Sequence, residues 1–89
     1  MTPLSRIQNK VRERDYYLSS HAEEEMAEDS LESEDVEHAL LNGKIEKRLT
    51  HDPRGTRFRI EGPVRDGRTI HVVCRFVDPE LLVITVYAL

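Results

Sequence analysis

The sequence predicts an α+β domain: two or three short N-terminal helices packed on one face of a four-stranded antiparallel meander sheet. Three observations carry that expectation. Apolar residues recur at helical spacing as far as Leu40 and at alternate positions after Gly43. Turn signals at Asp52-Pro53-Arg54-Gly55, Asp66-Gly67 and Asp78-Pro79 cut the second half into strand-length pieces. Thr69 to Val77 is the longest β-branched and aromatic run, with Ile70, Val72, Cys74 and Phe76 on one side and Thr69, His71, Val73, Arg75 and Val77 on the other.

Taken in order, Thr2 as N-cap and Pro3 at the first helical position start a helix over residues 3–14. Leu4, Ile7 and Val11 form its apolar stripe, with Arg6, Lys10, Arg12 and Arg14 off it. Tyr16-Tyr17-Leu18 breaks the pattern as an extended piece or a link. Ser20 with Glu23 fits a capping box, and Ala22 and Met26 give a narrow stripe as far as Asp29. Ser33 is expected to cap a further helix built on Val36, Ala39 and Leu40 and stopped by Asn42-Gly43. Each of these helices is too short to persist without packing.

Opposed residues of a hairpin share a face, so strand register can be tested against the apolar pattern. A three-residue loop at 78–80 opposes Phe76 to Leu82, Cys74 to Ile84 and Val72 to Val86, and sets Val73 against Thr85 and His71 against Tyr87. A loop over 51–56 opposes Leu49 to Phe58 and Arg48 to Arg59. A two-residue Asp66-Gly67 turn would mix the faces, so a β-bulge at Gly62-Pro63 is expected to restore them. The helices then cover Ile45, Leu49, Phe58, Ile60, Ile70, Val72, Cys74, Phe76, Ile84 and Val86. The opposite face shows Arg48, Arg57, Arg59, His71, Arg75, Thr85 and Tyr87.

With 89 residues the chain has room for one core, so residues 1–89 are read as a single domain. No apolar run approaches the roughly 20 residues of a membrane span. The opening Met-Thr-Pro-Leu-Ser-Arg lacks a signal-peptide segment, and a cytoplasmic protein without a membrane partner is expected. The single cysteine, Cys74, excludes an internal disulfide and reads as a buried reduced thiol. Four scattered histidines without His-x-x-x-His or Cys-x-x-Cys spacing, and no Gly-rich phosphate loop, lead us to expect neither metal nor cofactor.

The net charge of −4 hides a division. Nine acidic residues and no basic one lie between Glu23 and Glu37, whereas nine basic residues face four acidic ones between His38 and Val77. Bulk charge disfavours nucleic acid, but a cationic sheet could still bind phosphate locally. The acidic stretch reads as a solvated helix face or as a docking surface for a basic partner.

His71, Tyr87 and Thr85, with the arginines around them, form the candidate site. Cleaving RNA without a metal needs a base for the 2′-hydroxyl, an acid for the leaving oxygen and cations around the phosphorane. Histidine and tyrosine supply proton transfer, and arginine grips phosphate with two donors. The competing reading is a solvated sheet face on which Tyr87 covers His71. His21, beside the carboxylates of its helix, is read either as an assisting proton carrier or as a group closing the helix end. His38 and His51 read as surface residues.

Four segments together, Ser20 to Glu28, Glu34 to Gly43, Asp66 to Val73 and Ile84 to Tyr87, resemble the "domain of unknown function 4258" family over roughly residues 16–88. That family resembles the RelE/ParE-like toxin fold, small helices on an antiparallel sheet. The resemblance marks His21, Gly43, Gly62, Gly67, Arg68, His71, Thr85 and Tyr87. Many members carry Arg where Glu25 stands here, so this chain lacks a helical arginine facing the site. The resemblance implies a toxin-like role, as a metal-independent endoribonuclease of a toxin–antitoxin pair. His71 and Tyr87 would exchange protons, assisted by His21 and Thr85, while Arg57, Arg59, Arg68 and Arg75 hold the substrate. RNA and a cognate antitoxin, or another protein met through the acidic helices at 20–42, are the partners this implies. The alternative from another class is a non-catalytic interaction module on the same scaffold.

Overall fold

A computed structural model describes residues 1–89. In order, the chain forms α1 (Pro3–Arg12), β1 (Tyr16–Leu18), α2 (Ser20–Glu28), α3 (Ser33–Asn42), β2 (Lys44–Leu49), β3 (Arg57–Pro63), β4 (Thr69–Val77) and β5 (Glu80–Ala88). The strands make one five-stranded sheet in the order β1-β5-β4-β3-β2. β2 to β5 run as an antiparallel meander, while β1 adds to the far edge parallel to β5, with Tyr16 opposite Leu81 and Leu18 opposite Val83. The expected four-stranded, all-antiparallel sheet is corrected on that point. A three-residue strand is too short for alternation to register, and its partner lies at the other end of the chain.

The helices share one layer. α3 lies over β3 and β4, α2 runs along β5, and α1 packs against α3 and β5. Ile7 and Val11 of α1, Ala22 and Met26 of α2, and Val36, Ala39 and Leu40 of α3 meet Phe58, Ile60, Ile70, Val72, Cys74, Leu81, Val83 and Val86 in a single core. Because α1 joins this layer, the opposite sheet face stays open. No helix is long and apolar enough to cross a membrane.

Helix ends differ from expectation by one or two residues. α1 stops at Arg12. α2 is capped by Ser19 and not Ser20: its Oγ accepts from the Ala22 N–H at 3.0 Å. The N-cap of α3 is Glu32 and not Ser33, and the Glu32 N–H donates to Asp35 Oδ2 at 2.9 Å.

Register is corrected in three places. β3 and β4 pair without a break, Phe58 opposite Cys74, Ile60 opposite Val72 and Gly62 opposite Ile70, so no bulge occurs at Gly62-Pro63. The extra residue lies in the turn: Val64 N–H donates to Arg68 O, Gly67 N–H donates to Val64 O, and Gly67 takes φ +94°. This is a three-residue hairpin with glycine in the left-handed position. β5 turns after two residues, Asp78-Pro79, joined by a cis bond, so Phe76 opposes Leu81 and Cys74 opposes Val83. A shift between Val73 and Cys74 then returns Val72 to Val86 and His71 to Tyr87. Leu81 and Val83 therefore fill the core in place of the expected Ile84. In β2 a shift between Ile45 and Lys47 places Arg48 opposite Phe58 and Leu49 opposite Arg57, reversing the faces expected for Arg48 and Leu49.

One packing contact fixes how α3 meets the sheet. A Cβ on Gly62 would lie 2.2 Å from Ala39 O, and one on Gly43 2.5 Å from the same oxygen, so the end of α3 rests directly on the β3 backbone. His38, expected at the surface, is part-buried, with Nδ1 2.8 Å from Pro63 O.

Candidate acid–base face of the sheet

The open face is read in rows across the strands. In one row Lys44 opposes Glu61, Glu61 opposes His71 and His71 opposes Tyr87. Pleating sends these side chains to the side away from the helices, because their neighbours Ile60, Ile70, Val72 and Val86 are buried beneath them. His71 Nε2 lies 3.0 Å from Glu61 Oε1, and His71 Nδ1 lies 3.0 Å from the Tyr87 hydroxyl. The two rings meet edge to face at 5.3 Å. A carboxylate only accepts, so in the neutral ring Nε2 carries the hydrogen, Nδ1 presents a lone pair, and the Tyr87 hydroxyl donates to it. The result is a directed line of protons, Tyr87 to His71 to Glu61, with the His71 side chain only 11% exposed.

The next row holds Lys47, Arg59, Val73 and Thr85. Arg59 is gripped by Glu46, with Nη2 3.1 Å from Oε1 and Nε on the second oxygen. That pairing pushes the Arg59 guanidinium above its ordinary value and holds Glu46 below the usual carboxylate range. Val73 is buried although it faces outward, flanked by Arg59 and Thr85.

Arg57 and Arg75 oppose one another in the third row and converge on Asp52. Asp52 Oδ2 lies 3.4 Å from Arg57 Nε and 3.6 Å from Arg75 Nη1, while Oδ1 meets Arg54 Nε at 3.2 Å. The Arg54 backbone N–H, 2.9 Å from Oδ1, leads in holding this carboxyl below its ordinary range, with the Arg54 side chain adding to it. The Asp52 side chain is 4% exposed, so a loop residue has become the hub of three guanidinium groups.

The structure thus brings His71, Tyr87, Thr85, Arg57, Arg59 and Arg75 onto one face and leaves two expected members elsewhere. His21 lies exposed on α2, in the helical layer, with its Nε2 3.4 Å from Glu25 Oε1. Arg68 turns to the α2–α3 corner, bound to Asp66 and donating to Asp29 O at 2.8 Å. Glu61, Glu46 and Asp52 were not among the expected site residues. Glu61 was within reach of sequence reasoning, since the unbroken β3–β4 register places it opposite His71.

Glu25 has its own task. Its Oε1 accepts the Val86 N–H at 3.0 Å, and Asp29 Oδ2 accepts the Ala88 N–H at 3.1 Å. Beyond the short β1, these carboxylates take the hydrogen bonds that a neighbouring strand would otherwise provide. Cys74 is fully buried, and burial pushes its thiol up to about 12, an inert core residue. No group of three or more His, Cys, Asp or Glu side chains is placed to hold a metal ion.

Fold and face together define a small two-layer α+β domain whose open sheet surface carries a hydrogen-bonded acid–base line. The chain belongs to the family described as Domain of unknown function (DUF4258), which matches residues 18–88. No curated protein and no solved structure matches the chain.

Proposed function

We propose that this domain is a toxin-like, metal-independent endoribonuclease acting at the open sheet face. The observation that carries the reading is the line Glu61–His71–Tyr87. Tyr87 stands at its free end, where it meets substrate. It takes the proton of an RNA 2′-hydroxyl as its own passes to His71 Nδ1, and Glu61 stabilises the imidazolium that forms. The 2′-oxygen bonds to phosphorus, the bond from phosphorus to the 5′-oxygen breaks, and the proton returns through Tyr87 to that leaving oxygen. The products are a 2′,3′-cyclic phosphate and a 5′-hydroxyl. Arg59, one side-chain row from His71 and Tyr87 on the same face, faces the charge that develops on the phosphorane.

The toxin-like part rests on likeness of architecture to the RelE/ParE-like fold, helices on one side of an antiparallel meander, and fold alone does not assign activity. The acidic α2–α3 surface suits a basic segment of a cognate antitoxin. Expression in cells tests the reading: growth arrest by the wild-type chain that disappears in Tyr87→Phe and His71→Ala supports it. Indifference to all three removes it.

One observation favours a second reading. Arg57 and Arg75 are drawn to Asp52 and Arg59 to Glu46, so much of the face is already neutralised from within. A non-catalytic interaction module would have such a face, and it would bind its partner equally well with Tyr87→Phe.

A further inference from the structure

Phosphate needs cations that are not already satisfied, and the sheet arginines are not of that kind. The largest cavity of the molecule, about 600 Å³, lies beside them, between β2 and the loop that leads to β3. Lys47, Arg48, His51, Asp52, Arg54 and Arg57 line it. Lys47 and Arg48 are exposed and enter no ion pair. The Arg48 guanidinium rests 5.9 Å from the Phe58 ring centroid, on the other side of β2 from Lys47, so the cleft wraps the outer edge of the sheet and the contact directs Arg48 without neutralising it. Arg54 is 75% exposed and spends its backbone N–H and Nε on Asp52, leaving its terminal amino groups free. Arg57 Nε is buried beside Asp52 with no hydrogen-bond acceptor. Two unpaired cations, Lys47 and Arg48, and the free end of Arg54 thus line a concave wall beside the Asp52 hub, whereas Arg57, Arg59 and Arg75 on the open face are paired.

The cleft also stands in the right place. Lys47 opposes Arg59, one side-chain row from His71 along the strands and two strands across. Strand geometry makes that separation on the order of 12 Å, which a short stretch of single-stranded RNA covers.

We infer that this cleft holds the phosphate backbone of single-stranded RNA beside the bond presented to Tyr87, through Lys47, Arg48 and Arg54. The inference rests on the ribonuclease reading of the neighbouring face, and binding tests it apart from cleavage. The probe is a fluorescein-labelled ten-nucleotide oligoribonucleotide, titrated by anisotropy at several salt concentrations against the His71→Ala protein, which leaves it intact. Adding Lys47→Ala and Arg48→Ala weakens binding at least tenfold at low salt. The double change also lowers the slope of log affinity against log salt by about 1.4, or 0.7 per lost phosphate contact on a single strand. Arg12→Ala, which removes an exposed charge from α1 in the helical layer, changes affinity less than twofold. Equal losses in the double variant and in Arg12→Ala overturn the inference, as does a parent protein that does not bind. Binding that follows the cleft residues, together with a wild-type chain that never cleaves, keeps the cleft and removes the endoribonuclease.

Discussion

Glu61 Oε1 lies 3.0 Å from Nε2 of His71, and that contact sets the direction of the hydrogen bonds along the line to Tyr87. With the hydrogen fixed on Nε2, Nδ1 is an acceptor, and the phenol of Tyr87 points its hydrogen inward. Long-range nitrogen–proton NMR on the neutral protein should show His71 as the Nε2–H tautomer. Glu61→Ala should release that preference and mix the two tautomers. A wild-type Nδ1–H form would reverse the line and take away the acceptor that Tyr87 needs.

The Gly62 backbone approaches α3 so closely that a methyl group has no space. Gly62→Ala places a carbon 2.2 Å from Ala39 O and should lower unfolding free energy by about 3 kcal/mol, the upper part of the range for overpacking. Gly67→Ala has nothing within 4 Å and bears only the left-handed backbone, a cost of about 1 kcal/mol. Urea unfolding of the two variants should therefore separate them, with Gly62→Ala clearly the weaker. The reverse order would contradict the packing of α3 on β3.

Glu25 occupies the exposed edge of β5. Glu25→Ala leaves the Val86 N–H without its acceptor, at a cost of about 1–3 kcal/mol. Hydrogen exchange at the Val86 amide should accelerate in this variant while exchange in β3 and β4 changes only with global stability. Glu25→Gln, which keeps an acceptor oxygen, should retain most of the protection.

Acid should destabilise the fold through Asp35. Arg65 Nε at 2.9 Å, and then the Glu32 N–H, hold its carboxyl below the ordinary value. A depressed folded value means that the stabilisation is complete above the unfolded value of about 3.9 and is lost as pH falls through the folded one. Urea midpoints between pH 2 and 7 should fall below about pH 4 in the wild type. Asp35→Asn should be weaker at neutral pH, with a shallower fall on the acid side.

How far the sequence revealed this arrangement depended on distance along the chain. Three helices, four strands and the pairing of His71 with Tyr87 follow from periodicity and hairpin arithmetic, because each is local or separated by a single turn. β1 escaped because three residues carry no period and pair with β5 across almost the whole chain. Ile84 was misplaced because a two-residue turn and a later shift cancel at Val73, Val72 and His71 but not at Cys74 and Phe76, which lie between the turn and the shift. The arginines were placed on the correct face apart from Arg48 and Arg68. Their availability was overestimated, since Asp52 and Glu46 reach them from a loop and a bulge that alternation does not describe. Gly62 invited a bulge on local grounds, yet its requirement is tertiary and comes from Ala39 of α3.

The proton line itself is tested most directly by cleavage of an oligoribonucleotide in the presence of EDTA. The wild-type chain should yield fragments ending in 2′,3′-cyclic phosphate, and Tyr87→Phe, which keeps the ring and loses the hydroxyl, should slow cleavage by about 10²–10⁴-fold without shifting the unfolding midpoint by more than the loss of one hydrogen bond. A wild-type protein that leaves the RNA intact, or a Tyr87→Phe protein that cleaves at the wild-type rate, would contradict the account.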